Sequence, residues 1–278
     1  MNRRTFASCS GRKGRHPPFE GQNDPVLVDY HTHLRASDAA GEEPAHSPEV
    51  VERYVEWAAK RSVDELGFSE HVYYFRQTEA VWDVAEQRER CRYDLDEYCD
   101  LIVEAKRRGF PVKLGLEVDW VAERADELAQ VLEPYPWDYL IGSVHWIGGL
   151  AVDSQPGLWE QHSPAEVWAL YARELAAAAR SGHFDVLAHP DLVKIFGDRV
   201  DWDWQPVIDA LDGVALEVST AGLHKPVGEL YPEATLLRGA RRVTLASDAH
   251  LAENVGRDFE AAVEHARAAG FETVTVFD

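Results

Sequence analysis

The chain has 278 residues, and 28 basic against 49 acidic side chains give a formal charge of -21 with histidines neutral. A field of that sign works against an extended nucleic-acid surface and favours small substrates, so positive charge for any bound anion must be supplied locally. The three cysteines, Cys9, Cys91 and Cys99, are too scattered for a disulfide framework or a zinc clip and suit a reducing cytoplasm. No apolar run reaches the ~18 residues of a membrane span, and no signal-peptide pattern follows the basic start.

Residues 1–25, with Arg3, Arg4, Arg12, Lys13 and Arg15 among Gly and Pro, have the composition of a flexible basic tail. From residue 26, short Val-, Ile- and Leu-rich runs alternate with helical segments, the pattern of βα units in a parallel sheet or barrel. The first run is 26–30. Ser47 and Pro48 then supply an N-cap and a first-turn proline for a helix over 48–61, with Val50, Val51, Tyr54, Val55 and Ala58 on one face. Strands are expected at 65–69 and 112–116, separated by a helix over 92–108 that Gly109 closes, and at 139–144. Ser163-Pro164-Ala165-Glu166 is a capping box, and the helix it opens runs to Ser181 before Gly182. Runs at 186–188, 214–218 and 243–246 follow, then a helix over 254–269 and a last strand at 273–277. Nothing resembling a linker interrupts this pattern, so 26–278 reads as one domain.

Almost every run leads directly into a histidine or a carboxylate. The first gives Asp29-Tyr30-His31-Thr32-His33, the second Glu70-His71, the third Glu117-Val118-Asp119, the fourth His145, the fifth His189-Pro190-Asp191 and the seventh Asp248-Ala249-His250; the sixth contains Glu217. Singly, each has an ordinary structural reading: a hydrogen-bonded core histidine, a paired carboxylate at Glu117, a turn cap at Asp248. Together they point to one site, because the C-terminal strand ends of a parallel barrel converge on one face. Imidazole and carboxylate ligands without thiolate suit Zn, Fe or Mn, and a carboxylate such as Glu117 can bridge two ions.

His31-Thr32-His33, Glu70-His71, Gly115-Leu116-Glu117, Gly142-Ser143-Val144-His145, Ala188-His189-Pro190-Asp191 and Ser247-Asp248-Ala249-His250 resemble the successive motifs of the PHP (polymerase and histidinol phosphatase) domain family. Residues 141–149, Asp191-Leu192-Val193-Lys194 with Phe196-Gly197, and the stretch from Glu217 through Gly222 to Pro232 are similar to histidinol-phosphatase members. The resemblance implies an α/β fold, a distorted (β/α)7 TIM-like barrel in a single domain. It implies two or three divalent ions: one held by His31, His33, Glu117 and Asp248, a second by Glu117, His145 and His189, and a third by His71 and His250. The position where a further histidine is common is Ala39, and Asp38 is expected to take its place. Catalytic roles fall to Glu117, Asp248 and His250.

The resemblance further implies hydrolysis of a phosphomonoester, histidinol phosphate. Lys194, Lys225, Arg35 and Arg257 are the candidate phosphate contacts, joined by His224, which stands where this branch often carries arginine. Tyr73, Trp120, Trp146 and Tyr231 are candidates to wall a pocket for a flat group. Another small phosphate or a phosphodiester is the alternative substrate. An amidohydrolase is disfavoured because the bridging position holds Glu117 rather than lysine, and a non-catalytic metal-binding domain is disfavoured by the full ligand set.

Overall fold

The computed structural model describes residues 26–35, 46–154 and 157–277. The tail over 1–25, and Asp38 with Ala39, lie outside the described residues.

Two parallel sheets form the centre. One carries β1 (Val28–Thr32), β2 (Glu65–Phe68) and β3 (Val112–Leu114) in that order. The other begins at β4 (Glu117–Asp119) and continues through β5 (Ile141–Ser143). A short antiparallel hairpin, β6 (Trp146–Ile147) and β7 (Leu150–Ala151), leaves the end of β5. The second sheet then runs on through β8 (Val186–Leu187), β9 (Ala215–Ser219) and β10 (Val243–Ala246). β3 and β4 are one strand position interrupted at Gly115 and Leu116. Past the interruption, the Glu117 N–H donates to Glu70 O at 2.9 Å and His71 bridges to Glu117, which joins the sheets. The other seam closes where His33 N donates to Ala249 O at 2.8 Å and Thr32 bridges to Ala249. The result is a closed, distorted barrel of seven parallel strand positions, as expected for the chain.

Packing explains the glycine at the interruption. Tyr139 is fully buried, its hydroxyl donates to Tyr30 O at 2.6 Å, and its ring stacks on Phe277 at 5.2 Å. Gly67 and Gly115 face this phenol, and a Cβ at either would collide with it. The large ring fills the barrel because its strand neighbours lack side chains there.

Four helices match expectation in position, with two revised starts. α1 (Pro48–Lys60) is capped by Ser47, and α6 (Pro164–Ser181) has the reciprocal Ser163 and Glu166 bonds and a left-handed Gly182 at φ 74. The helix expected over 92–108 is Leu95–Arg107, because the Asp94 carboxylate caps it by accepting from Asp96 N and Glu97 N. The helix expected over 254–269 is Phe259–Ala268, because Gly256 (φ 63) and Asp258 (φ 58) take left-handed conformations that a helix cannot contain. The strand expected at 273–277 is instead an extended segment with isolated bridges. Among the described residues the segment meets β10 at a single backbone bond, Thr275 N to Val243 O at 2.7 Å, and does not extend it into a ladder.

Candidate metal centre

His31 and His33 alternate with Thr32 at the end of β1, so both imidazoles point to one side while Thr32 Oγ1 donates to Gly67 O at 2.9 Å. Their Nε2 atoms converge with those of the other strand ends on Glu117, which is fully buried. Glu117 divides its oxygens between two groups. Oε2 lies 3.3 Å from His31 Nε2, 3.6 Å from His33 Nε2 and 2.7 Å from His71 Nδ1. Oε1 lies 3.5 Å from His145 Nε2 and 3.2 Å from His189 Nε2. Asp248 Oδ1 completes the first group at 3.3 Å from His33 Nε2 and 3.7 Å from His31 Nε2. His250 stacks on His33 with centroids 4.2 Å apart and His71 does so at 4.4 Å, with His71 and His250 themselves 5.9 Å apart.

Local backbone geometry aims several of these groups. His189 (φ 24) and Asp248 (φ 51) are non-glycine residues at positive φ, a conformation that costs of order 1–3 kcal/mol each and persists only where surroundings enforce it. For Asp248 the enforcement is visible. Buried Asp29 accepts from Ser247 N at 2.9 Å and from Gly256 N at 2.8 Å, pinning both ends of the loop that carries Asp248 and His250.

The crowded carboxylate and imidazoles pull one another's protonation in opposite directions. Burial opposes ionisation of Glu117, yet His71, His31 and His145 hold it well below the usual carboxylate range. Burial likewise opposes charge on His33 and His145. Contacts with Asp248 and Glu70 lift the first to about 9, and Glu117 and Asp119 lift the second to about 10. Burial wins at His71 and His250, which fall to about 3 and about 4.

The donor set fits divalent metal ions. His31 Nε2, His33 Nε2 and Glu117 Oε2 are buried without a hydrogen-bond partner, a cost that coordination removes. Ligand atoms of His31, His33 and Asp248 fall within 4.8 Å of one another, as do those of His31, Glu117 and His189, and those of His33, His71 and His250. A further such group contains His71, His145 and Asp119, but Asp119 Oδ1 already lies 2.9 Å from His145 Nδ1.

Beside the cluster lie two cavities. One of about 320 Å³ is lined by His224, Lys225, Arg257, Asp248 and His250. The other, of about 290 Å³, shares Lys225, Asp248 and His250 and extends along Tyr73, Trp146 and Tyr231. Lys225 has no ion-pair partner among the described residues, whereas His224 Nε2 lies 2.7 Å from Asp258, which Arg257 also faces at 3.6 Å.

Three expectations need correction. Lys194 lines neither cavity: its ammonium is fully buried against Asp191 at 2.8 Å and Leu230 O at 2.7 Å, so both charge and protons are already engaged. Arg35 lines neither cavity and rests on the ring of Tyr74, 4.4 Å from its centroid, and Tyr74 borders the second cavity. Trp120 is buried on the far side of β4, where its Nε1 donates to Glu174 at 3.1 Å. Conversely, Glu86, Arg90 and Asp153 border the second cavity and had not been singled out; they sit on α2 (Ala85–Arg90) and just past the β6–β7 hairpin, segments without a legible period.

A parallel barrel whose strand ends gather imidazoles around one shared carboxylate defines a barrel protein with a candidate metal centre at its mouth. The PHP domain model matches residues 29–221, and the chain belongs to that family. It is 34% identical over 248 residues, 83% of this chain and 91% of the relative, to a probable histidinol-phosphatase of Deinococcus radiodurans. It is 24% identical over 267 residues, 90% and 94% of the two chains, to a histidinol-phosphatase of Lactococcus lactis. The crystal structure of the Lactococcus lactis histidinol phosphate phosphatase, complexed with Zn, L-histidinol and phosphate, is similar in fold: TM-score 0.69, 22% identity, 92% of this chain and 98% of that one. A putative histidinol phosphatase from Listeria monocytogenes gives TM-score 0.70 at 19% identity, over 84% and 99%. No helix among the described residues is long and apolar enough to cross a membrane.

Proposed function

We propose that the chain is a metal-dependent phosphatase that converts histidinol phosphate to histidinol and phosphate, acting in the cytoplasm, with its catalytic barrel over 26–278. The observation that carries this reading is the division of Glu117 between two imidazole groups, Oε2 toward His31 and Oε1 toward His189 at 3.3 and 3.2 Å. His31, His33, Glu117 and Asp248 would hold one ion and Glu117, His145 and His189 a second, with Zn, Fe or Mn as candidates. His71 and His250 would hold a third, with Asp38, which lies outside the described residues, as the expected further ligand. Such ions, when bound, supply Lewis acidity that activates water and neutralises phosphoryl oxygens.

The chain's own groups do the rest. Lys225 binds a phosphoryl oxygen from the wall the two cavities share, and Arg257 and His224 extend the positive edge. Asp248 and His250, which line both cavities, are the groups placed to receive the attacking water's proton and pass it to the departing alcohol oxygen as the phosphorus–oxygen ester bond breaks. Tyr73 and Trp146 flank the organic group, while Asp153, without an ion-pair partner among the described residues, offers a carboxylate to its ammonium. The test is phosphate release by purified protein from histidinol phosphate, nucleotides and a bis-phosphorylated nucleoside. Selective turnover of the first is expected, and none sinks the assignment.

A further inference from the structure

Glu217 is a carboxylate the chemistry above does not use. It sits in β9 between Leu216 and Val218 and is fully buried. Both oxygens lie on one atom, His31 Nδ1, at 3.1 and 2.9 Å, and it has no other partner among the described residues. A lone buried carboxylate is costly unless a charged or donor group compensates it. Because a carboxylate only accepts, Nδ1 keeps its proton, and Nε2 is the nitrogen aimed at Glu117 and Asp248 and the one whose lone pair an ion would take. The imidazole stands between Glu217 and the cluster, and Glu217 belongs to none of the groups whose ligand atoms converge.

The same relation recurs on the opposite side. Asp119 is nearly fully buried, its Oδ1 lies 2.9 Å from His145 Nδ1, and His145 Nε2 then faces Glu117 Oε1 at 3.5 Å. Asp119 follows Glu117 by two residues on β4, so one strand face delivers both the shared carboxylate and the group that aims its partner.

We infer that Glu217 and Asp119 are positioning residues, each fixing the tautomer and ring orientation of one histidine, His31 and His145, so that each governs the retention of a different ion. This rests on the metal-centre reading. Partners of this kind change metal affinity by about 10- to 100-fold in metalloproteins generally.

The experiment compares E217A, E217Q, D119A, D119N and H31A for metal content per chain, affinity by chelator competition, and melting temperature with and without chelator. E217A and D119A are expected to lose about 10- to 100-fold in affinity for one ion each, while the chelated proteins melt close to chelated parent. E217Q and D119N keep an oxygen that accepts the Nδ1 proton and are expected to recover most of that loss, remaining several-fold below parent. Parent-like affinity in E217A and D119A overturns the inference, as does an amide variant no better than its alanine counterpart, which marks a direct ligand. Should E217A fail to fold, E217Q decides, and parent-like affinity there is the overturning result. If H31A also keeps its full metal content, it is the metal-centre reading that fails.

Discussion

The Lys194 ammonium and the Asp191 carboxylate form an ion pair at 2.8 Å with both side chains fully buried. Asp191 Oδ2 also accepts from Glu233 N at 2.7 Å, and Lys194 Nζ donates to Leu230 O, so the pair ties the turn after β8 to the chain segment before α8 (Ala234–Gly239). Removing one partner leaves the other charged and buried. Lys194→Met is expected to cost about 3–5 kcal/mol in chemical denaturation, and adding Asp191→Leu to recover much of it. A loss under 1 kcal/mol in the single variant contradicts this account.

This pair also shows where sequence reading stops. The strands and their terminal histidines were legible because a strand end fixes both position and direction: in Glu117, Val118, Asp119 and Trp120, alternation sends the two carboxylates inward and Trp120 outward. The outward placement of Trp120 was therefore derivable from the same rule that located Glu117. Lys194 lies in a 3-10 turn, where periodicity does not say whether a long side chain reaches solvent or folds back onto Asp191. Glu217 left a signal, a single charge inside an apolar run, but its partner His31 is 186 residues away and only the closed barrel brings them together.

Metal binding is expected to be proton-coupled. Without ions, His33 and His145 titrate near about 9 and about 10, above the ordinary 6.5, because their carboxylate neighbours outweigh burial. Both carry protons at neutral pH that an incoming ion must displace, so apparent affinity should rise from pH 7 toward pH 9. Calorimetry in buffers of different ionisation enthalpy should detect proton release. The stability these raised values contribute to the metal-free protein is full below 6.5 and is lost as pH rises through about 9 to 10. Flat affinity across that window is the contrary result.

Asp153 and Lys225 border the same cavity with opposite charge, which suits a substrate carrying both an ammonium and a phosphate. Asp153→Asn is expected to raise KM for histidinol phosphate about tenfold while leaving a phosphate ester without an amine unaffected. Lys225→Ala should weaken both substrates about equally, since each presents the same phosphoryl oxygens. Parallel effects of the two substitutions on both substrates would remove the polarity argument.

The strongest test of a shared carboxylate compares Glu117 with a terminal ligand. Glu117 Oε2 faces His31 and His33 while Oε1 faces His145 and His189, whereas His33 contacts only the first of these groups. If the carboxylate spans two ions, Glu117→Ala removes a ligand from both and leaves the raised imidazoles of His33 and His145 without their common anion. Metal content should then fall by about two ions per chain, against about one for His33→Ala, and phosphate release should drop to the level of chelated protein. Glu117→Gln keeps the volume but not the charge, so it separates a packing defect from loss of the anion: affinity for both ions should fall while melting of the chelated protein stays near parent. Loss of one ion in both Glu117 variants and His33→Ala would place Glu117 on a single ion and end the two-ion reading.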